Sequence, residues 1–442
     1  MNRFFTLCIF IVTVVVIQSV GAQVFPEKTN YPPYYSGING HITDLCLLYC
    51  ARPYPMVPYT KETMKKYLVY SDKGQTRFLF DGFILLDIRS TTNQPLENNP
   101  LTATQNEWTL LMNRYFEEGW AASAIDQALE DLKAENIVPV RKRKIVMGIP
   151  VPYAHKFSFG TIDGKRMTME TVESRIRAAQ WYVDEVLRRW QEKKYKNIEL
   201  AGFYWVEEHA RENGDQIIPV VSDYVKAKGY RMVWIPYYGS ANAFAKHWKS
   251  LGFDMAYQQP NYFFVRATQL GIPATRLYDA TKFASDNGMA MEFEFDHNIF
   301  DTLYQRKFTE YVDYFERNKV FERTAVAYYE GGGAWPLIAD TNNPDVRALY
   351  QRLAGIIADR QEKADGMFVN RQPALYEDVS ILNKTKLLFQ LPVDKVSLFS
   401  ANGSLVRYYA STNEVSLENL KGFYILNYIH EDNRYSRKLV IL

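Results

Sequence analysis

The chain is predicted to fold as an α/β protein, a (β/α)8 TIM-like barrel followed by a small all-β C-terminal sandwich. Three observations carry this. Eight short apolar runs alternate with amphipathic stretches from about residue 40 onward. No GxGxxG follows the first run, which argues against a dinucleotide fold. Beyond Gln361 the helical spacing gives way to short alternating strands. Strand–helix alternation requires crossovers and hence a parallel sheet, and eight units without a second switch of pattern favour closure.

The elements follow in order. Met1-Asn2-Arg3, the apolar Phe4–Ile17 and the small-residue site Val20-Gly21-Ala22 predict a signal peptide over residues 1–22. The mature chain then starts at Gln23 and is expected to be exported, to the periplasm, outer membrane or extracellular space. The apolar run is short for a membrane span, and no later stretch is long and apolar enough for one. The barrel is assigned to residues 23–365. Its strands are predicted at Asp44–Cys50, Gly82–Arg89, Lys144–Pro152, Ile198–Glu207, Arg231–Tyr238, Asp254–Gln259, Gly288–Phe295 and Thr324–Glu330. Helices are expected at Thr60–Tyr70, Glu107–Glu118, Ala121–Ala134, Thr168–Lys194, Val220–Lys228, Asn242–Leu251, Ala274–Ser285, Thr302–Asn318 and Pro344–Gln361. Two polar connections, Ser90–Gln105 and Tyr153–Arg166, are long enough to act as a lid or a substrate wall. Residues 373–442 form the β module, with a hairpin turn at Ala401-Asn402-Gly403.

Composition narrows the function. A net charge of +2 over 442 residues gives no sign of a nucleic-acid or electrostatic membrane partner, and Arg141–Lys144 reads as a solvated loop. Aromatic content is 15%, with 32 Tyr and 8 Trp, residues that stack on sugar rings in wet clefts. Cys46 and Cys50 lie in one strand, about 13 Å apart at roughly 3.3 Å per residue, so two free thiols are expected. The six His are scattered singly and no metal or cofactor is expected; no GxSxG is present.

Acids at strand ends carry the chemistry. The fourth strand ends in Glu207 and Glu208, and the seventh carries Glu292, Glu294 and Asp296 at alternate positions. An apolar face turned to the helices orients each strand. On that rule Ala201, Phe203, Trp205 and Glu207 point inward on strand four, and Ala290, Glu292, Glu294 and Asp296 on strand seven. Asp87 and Arg89 point inward on strand two. Glu208 is expected to open the next loop or helix. Inward acids form either a buried ion-pair network or a site at the C-terminal ends of the strands.

DLCLLYC, GFILLDIR, GFYWVEEHA, WIPYYGS and FDMAYQQPNYFF resemble domain-of-unknown-function family 4855, secreted bacterial barrels similar to glycoside hydrolases, over about Asp44 to Arg360. VSLFSANGSLVRYY, VSLENLKGFYILNYI and SRKLVIL resemble type nine secretion sorting domains, without their Pro-Asn-Pro opening. In the large barrel glycosidase clan the acid/base is a Glu ending strand four and the nucleophile a Glu ending strand seven. This resemblance implies Glu207 as acid/base and Glu294 as nucleophile; Val206 stands where the clan carries Asn.

The expected activity is therefore hydrolysis of a poly- or oligosaccharide by two carboxylates. The alternative is a non-catalytic carbohydrate-binding barrel of the cell envelope. Asp87, Arg89, Trp205, Tyr237, Tyr238, Gln258, Gln259, Asn261, Tyr262, Glu292, Tyr328 and Glu330 are expected to line the cleft, with Trp335 either stacking on a sugar or anchoring a loop.

Overall fold

The computed structural model describes residues 29–442 apart from 53–54, 97–98, 212, 239–243, 265–274, 378, 383–384, 431–432 and 442. The expected signal peptide lies outside the described residues. Eight parallel strands close into a barrel: β1 (Asp44–Tyr49), β2 (Gly82–Leu86), β3 (Arg143–Ile149), β4 (Ile198–Trp205), β5 (Arg231–Trp234), β6 (Met255–Gln258), β7 (Ala290–Glu294) and β8 (Val326–Tyr329). Each pairs with its sequence neighbours, and β1 seals the ring against β8 with Leu45 opposite Ala327.

The helices are α1 (Lys61–Leu68), α2 (Gln105–Tyr115), α3 (Ala121–Ala134), α4 (Val172–Lys193), α5 (Gly214–Ala227), α6 (Arg276–Asp286), α7 (Thr302–Arg317), α8 (Val320–Arg323), α9 (Ala334–Ala339) and α10 (Pro344–Glu377). The stretch expected to be helical at Asn242–Leu251 holds one 3-10 turn, Ala245–His247, in its described part. The Tyr153–Arg166 connection contains a β-hairpin, Ser158–Ile162 with Lys165–Thr168, which takes Thr168 away from the start of α4. A second hairpin, Val69–Asp72 with Gln75–Phe78, precedes β2.

The apolar core has two layers. Leu45, Leu47, Ile84, Leu86, Val146, Tyr204, Val206, Val233, Ile235, Met255, Tyr257, Ala290 and Ala327 fill the barrel interior. Phe83, Leu85, Met147, Phe203, Trp205, Trp234, Met291, Phe293 and Tyr328 face the helices. Cys46 and Cys50 are free and buried in this outer layer. At the N-terminal end of the strands, Arg360 of α10 donates to Asp44 Oδ1 at 2.7 Å and to the Thr43 and Thr324 carbonyls. Arg141 donates to Asp81 Oδ2 at 2.8 Å and to Asp365. Of the basic run expected to be solvated, Arg141 and Arg143 are buried, and Arg141 ties the barrel floor to α10, while Lys142 stays exposed.

One irregularity controls the site. In β4, Leu200 pairs with Ile145 and Gly202 with Val146, leaving Ala201 as an extra residue. Such a bulge reverses the side-chain alternation beyond it. Ile198 and Leu200 pack toward the helices, whereas Tyr204 and Val206 pack inside. A Cβ on Gly202 would lie 2.3 Å from the Arg231 carbonyl, so the close β4–β5 approach here requires glycine.

C-terminal to the barrel, β9 (Val379–Leu382), β10 (Lys386–Ser400), β11 (Leu405–Ser416), β12 (Gly422–His430) and β13 (Asn433–Ile441) form an antiparallel sheet. It has its own apolar cluster, including Leu387, Val396, Leu398, Val415 and Leu426.

Candidate functional site

Strand seven is oriented as expected. Met289, Met291, Phe293 and Phe295 pack in the helix layer, while Ala290 packs in the interior. The alternation therefore sends Glu292 and Glu294 inward at the C-terminal mouth. Glu294 is 4% exposed and Glu292 1% exposed. The Asn261 amide donates to Glu294 Oε2 at 2.5 Å, and the Tyr311 hydroxyl of α7 lies 3.4 Å from the same oxygen. That hydroxyl also donates to the Glu292 carbonyl at 2.8 Å. Neither carboxyl oxygen of Glu292 has a hydrogen-bond partner among the described residues.

Strand four corrects the expectation. Beyond the bulge, Phe203 and Trp205 turn to the helices, and Glu207 follows them. The Glu207 carboxylate accepts from the amides of His209 and Arg211, folding the turn after β4. Glu208 is the inward acid. Gln259 Nε2 donates to its Oε1 at 3.1 Å, and its charge raises the pKa of both Glu292 and Glu294.

Burial pushes Glu294 up to about 8, with Glu208 adding to the rise and the amides of Asn261 and Tyr262 and the Tyr311 hydroxyl opposing it. Burial, then Glu294, then Glu208 push Glu292 well above the usual carboxylate range. Three carboxyls on one inner face thus repel one another, and the group retains protons at neutral pH.

Of the other expected residues, Gln259, Asn261 and Tyr237 join this cluster. Asn261 Nδ2 lies 3.4 Å from the Tyr237 hydroxyl, and the Tyr237 amide donates to the Glu208 carbonyl. Several expected lining residues face elsewhere. On β2, Ile84 and Leu86 fill the interior, because both faces of that strand are apolar and the helix-facing rule cannot separate them. Asp87 consequently accepts from the amides of Ala51, Arg52, Ile88 and Arg89. Arg89 is exposed and donates to the Asn93 carbonyl; the ion pair is Arg52 to Asp87, at 3.6 Å. Gln258 lies one residue out of step with the inward Tyr257 and donates to the Gln259 carbonyl. Tyr262 sends its hydroxyl to Glu310 of α7, and Tyr238 lies under Arg276.

Tyr328 and Glu330 also leave the cleft. The Tyr328 hydroxyl donates to Asp44 at the barrel floor. Glu330 accepts from the amides of Gly333 and Trp335, and burial pushes its pKa up to about 8 against those donors. It thereby fixes the turn Gly331-Gly332-Gly333, whose φ values of 69°, 78° and 138° favour glycine. Trp335 is a buried anchor, donating to the Lys66 carbonyl.

The inward residues that sequence reading missed are Glu208, Tyr49 and Tyr329. Tyr49 and Tyr329 meet edge to face at 5.8 Å, and burial, with Tyr329, Tyr204, Glu208 and Glu292 nearby, raises the Tyr49 hydroxyl pKa. Their signal was the aromatic at the last position of β1 and of β8. No group of His, Cys, Asp and Glu among the described residues could hold a metal ion, and no helix among them is long and apolar enough to cross a membrane.

Residues 44–355 match the model of the family described as a domain of unknown function (DUF4855), and the chain belongs to that family. No curated protein matches it in sequence. Among solved structures it is similar to Eubacterium rectale Amy13B, at 10% identity over 88% of this chain and 96% of that one, with a TM-score of 0.39. It is similar to a cyclic alpha-maltosyl-(1→6)-maltose hydrolase from Arthrobacter globiformis, at 10% identity over 87% of this chain and 99% of that one, with a TM-score of 0.36. A third likeness is to an FMN-binding beta-glucuronidase from Facaelibacterium prausnitzii L2-6, at 11% identity and a TM-score of 0.31. It covers 80% of this chain, which spans only 54% of that protein's length.

Proposed function

We propose that this member of the DUF4855 family hydrolyses glycosidic bonds in a poly- or oligosaccharide, using Glu208 and Glu294 as its two carboxylates. The observation that supports this most directly is the convergence of Glu208, Glu292 and Glu294 on one inner face of the barrel mouth, with Glu294 pushed up to about 8. Charged groups placed there cost stability, and a pair that shares a proton supplies both an acid and a base near neutral pH.

In this reading Glu208 protonates the leaving oxygen while Glu294 attacks the anomeric carbon. Glu208 then takes a proton from the water that releases the sugar. Gln259 holds Glu208 by its amide, and Asn261, Tyr262 and Tyr311 hold Glu294. Because the carboxyls repel, the proton belongs to the pair, and the one-proton form is the reactive one. Glu292, without a hydrogen-bond partner among the described residues, offers its neutral carboxyl to a sugar hydroxyl. Export of the chain, and a sorting role for the C-terminal sheet, belong to the same proposal.

A panel of aryl glycosides and polysaccharides tests the reading with wild type, Glu208→Gln and Glu294→Gln. Loss of hydrolysis in both variants supports it. The stereochemistry of the product tests the nucleophilic role of Glu294: retention, which goes with carboxyls about 5–5.5 Å apart, supports it, and inversion, which goes with roughly 6.5–9.5 Å, overturns it. One observation favours a non-catalytic carbohydrate-binding barrel: Glu294 also ties the Asn261 loop to β7. Sugar binding without release of reducing ends, unchanged in both variants, would select that reading.

A further inference from the structure

Arg52 sits at the mouth of the barrel with an uncommitted guanidinium. Its carbon centre lies 4.8 Å from the centroid of the Tyr49 ring. Its only ion pair among the described residues runs from Nε to Asp87 at 3.6 Å, beyond hydrogen-bond length. Asp87 cannot draw it closer cheaply, because its two oxygens already accept four backbone amides, from Ala51, Arg52, Ile88 and Arg89. Among the described residues Arg52 Nε has no hydrogen-bond partner. None of the hydrogen bonds described for this mouth uses its terminal nitrogens, and the side chain remains 24% exposed. Tyr49 links this fork to the acids: its ring lies beneath the guanidinium, and its hydroxyl lies in the field of Glu208 and Glu292.

A planar guanidinium with a free fork, resting on an aromatic face, is suited to bidentate capture of a carboxylate. The surrounding acids would repel an anionic sugar unless such a cation received it. We propose that Arg52 forms a subsite for the carboxylate of a uronic acid, so that the glycan acted on at Glu208 and Glu294 is an acidic one. This rests on the carbohydrate reading of the same mouth and names its substrate class.

The test is binding of D-glucuronate, its uncharged methyl ester, D-glucose and D-glucose 6-sulfate to the full chain, followed by calorimetry or ligand-observed NMR. Wild type, Arg52→Lys and Arg52→Met are compared, each checked for an unchanged melting profile. Glucuronate is expected to bind roughly 10-fold or more tighter than its methyl ester, the worth of a charge-assisted pair. Arg52→Met should abolish that preference while leaving glucose binding unchanged. Arg52→Lys should retain part of it, since the charge stays and the fork is lost. Equal binding of glucuronate and its ester, or a preference that survives Arg52→Met, overturns the uronate subsite and leaves the carbohydrate reading standing. Tighter binding of the sulfate than of glucuronate overturns the carboxylate assignment. Binding of none of the four sugars overturns the carbohydrate reading, and the subsite with it.

Discussion

Gln259 donates its side-chain amide to Glu208 at 3.1 Å, joining the strand-six loop to the acid beyond strand four. Its neighbour Asn261 donates to Glu294 at 2.5 Å from the same loop. One short segment therefore orients both carboxyls, and the two are expected to fail together when it is disturbed.

The adjacent acids of strand four should separate cleanly. Glu208→Gln is expected to lower kcat by about 10²–10⁴-fold with little change in the melting temperature, as for loss of a general acid/base. Glu207→Gln should instead destabilise the turn that its carboxylate holds at His209 and Arg211, by about 1–2 kcal/mol, with kcat largely kept. Steady-state kinetics and denaturant melts on both variants check this; the reverse pattern would return the catalytic role to Glu207.

The pH profile follows from Glu294. Its raised pKa means that the pair keeps its last proton up to about pH 8 and loses it above. kcat/KM should therefore fall on the alkaline side with a limb near 8. Tyr311→Phe removes a donor that favours the ionised form, so the limb should move upward. A limb unmoved by that change would show that another group controls it.

Glu330 offers a stability measurement away from the proposed chemistry. Its folded pKa of about 8 exceeds the ordinary value of 4.5. Its contribution is fully present below the unfolded value and declines as pH rises through 8. Glu330→Gln cannot ionise, so the variant should lose less stability than wild type between pH 5 and pH 9. Thermal melts across that range give the comparison, and parallel curves would contradict it.

At the opposite end of the barrel, Arg360→Met should cost about 3–5 kcal/mol by leaving Asp44 buried without its cation. The loss falls on the β1–β8 seam, far from Glu208. Chemical denaturation should reveal it while the KM of the folded fraction stays unchanged.

The barrel itself was legible because its eight runs are short, apolar and regularly interrupted by helical spacing. Strand seven was legible to the residue, since Glu alternates strictly with Met and Phe. Strand two was not, because Ile84 and Leu86 fill the interior as apolar residues just as Phe83 and Leu85 fill the helix layer. Strand four held through Ile198, Leu200 and the inward Ala201 and departed beyond it, because the bulge at Ala201 adds one residue. Nothing in the composition of GFYWVEE marks that addition; it exists only in the pairing with β3. The buried role of Arg141 was hidden for a related reason, since its partners Asp81 and Asp365 are remote in sequence.

That extra residue also decides how other members of the family should be compared with this one. Here the inward acid stands ten positions after Ile198; in a relative whose strand four pairs without the insertion it would stand nine after. An alignment anchored on the start of the strand would then set its acid opposite Glu207 and report the wrong equivalence. Anchoring instead at the loop, and placing the gap at Ala201, brings like carboxyls together.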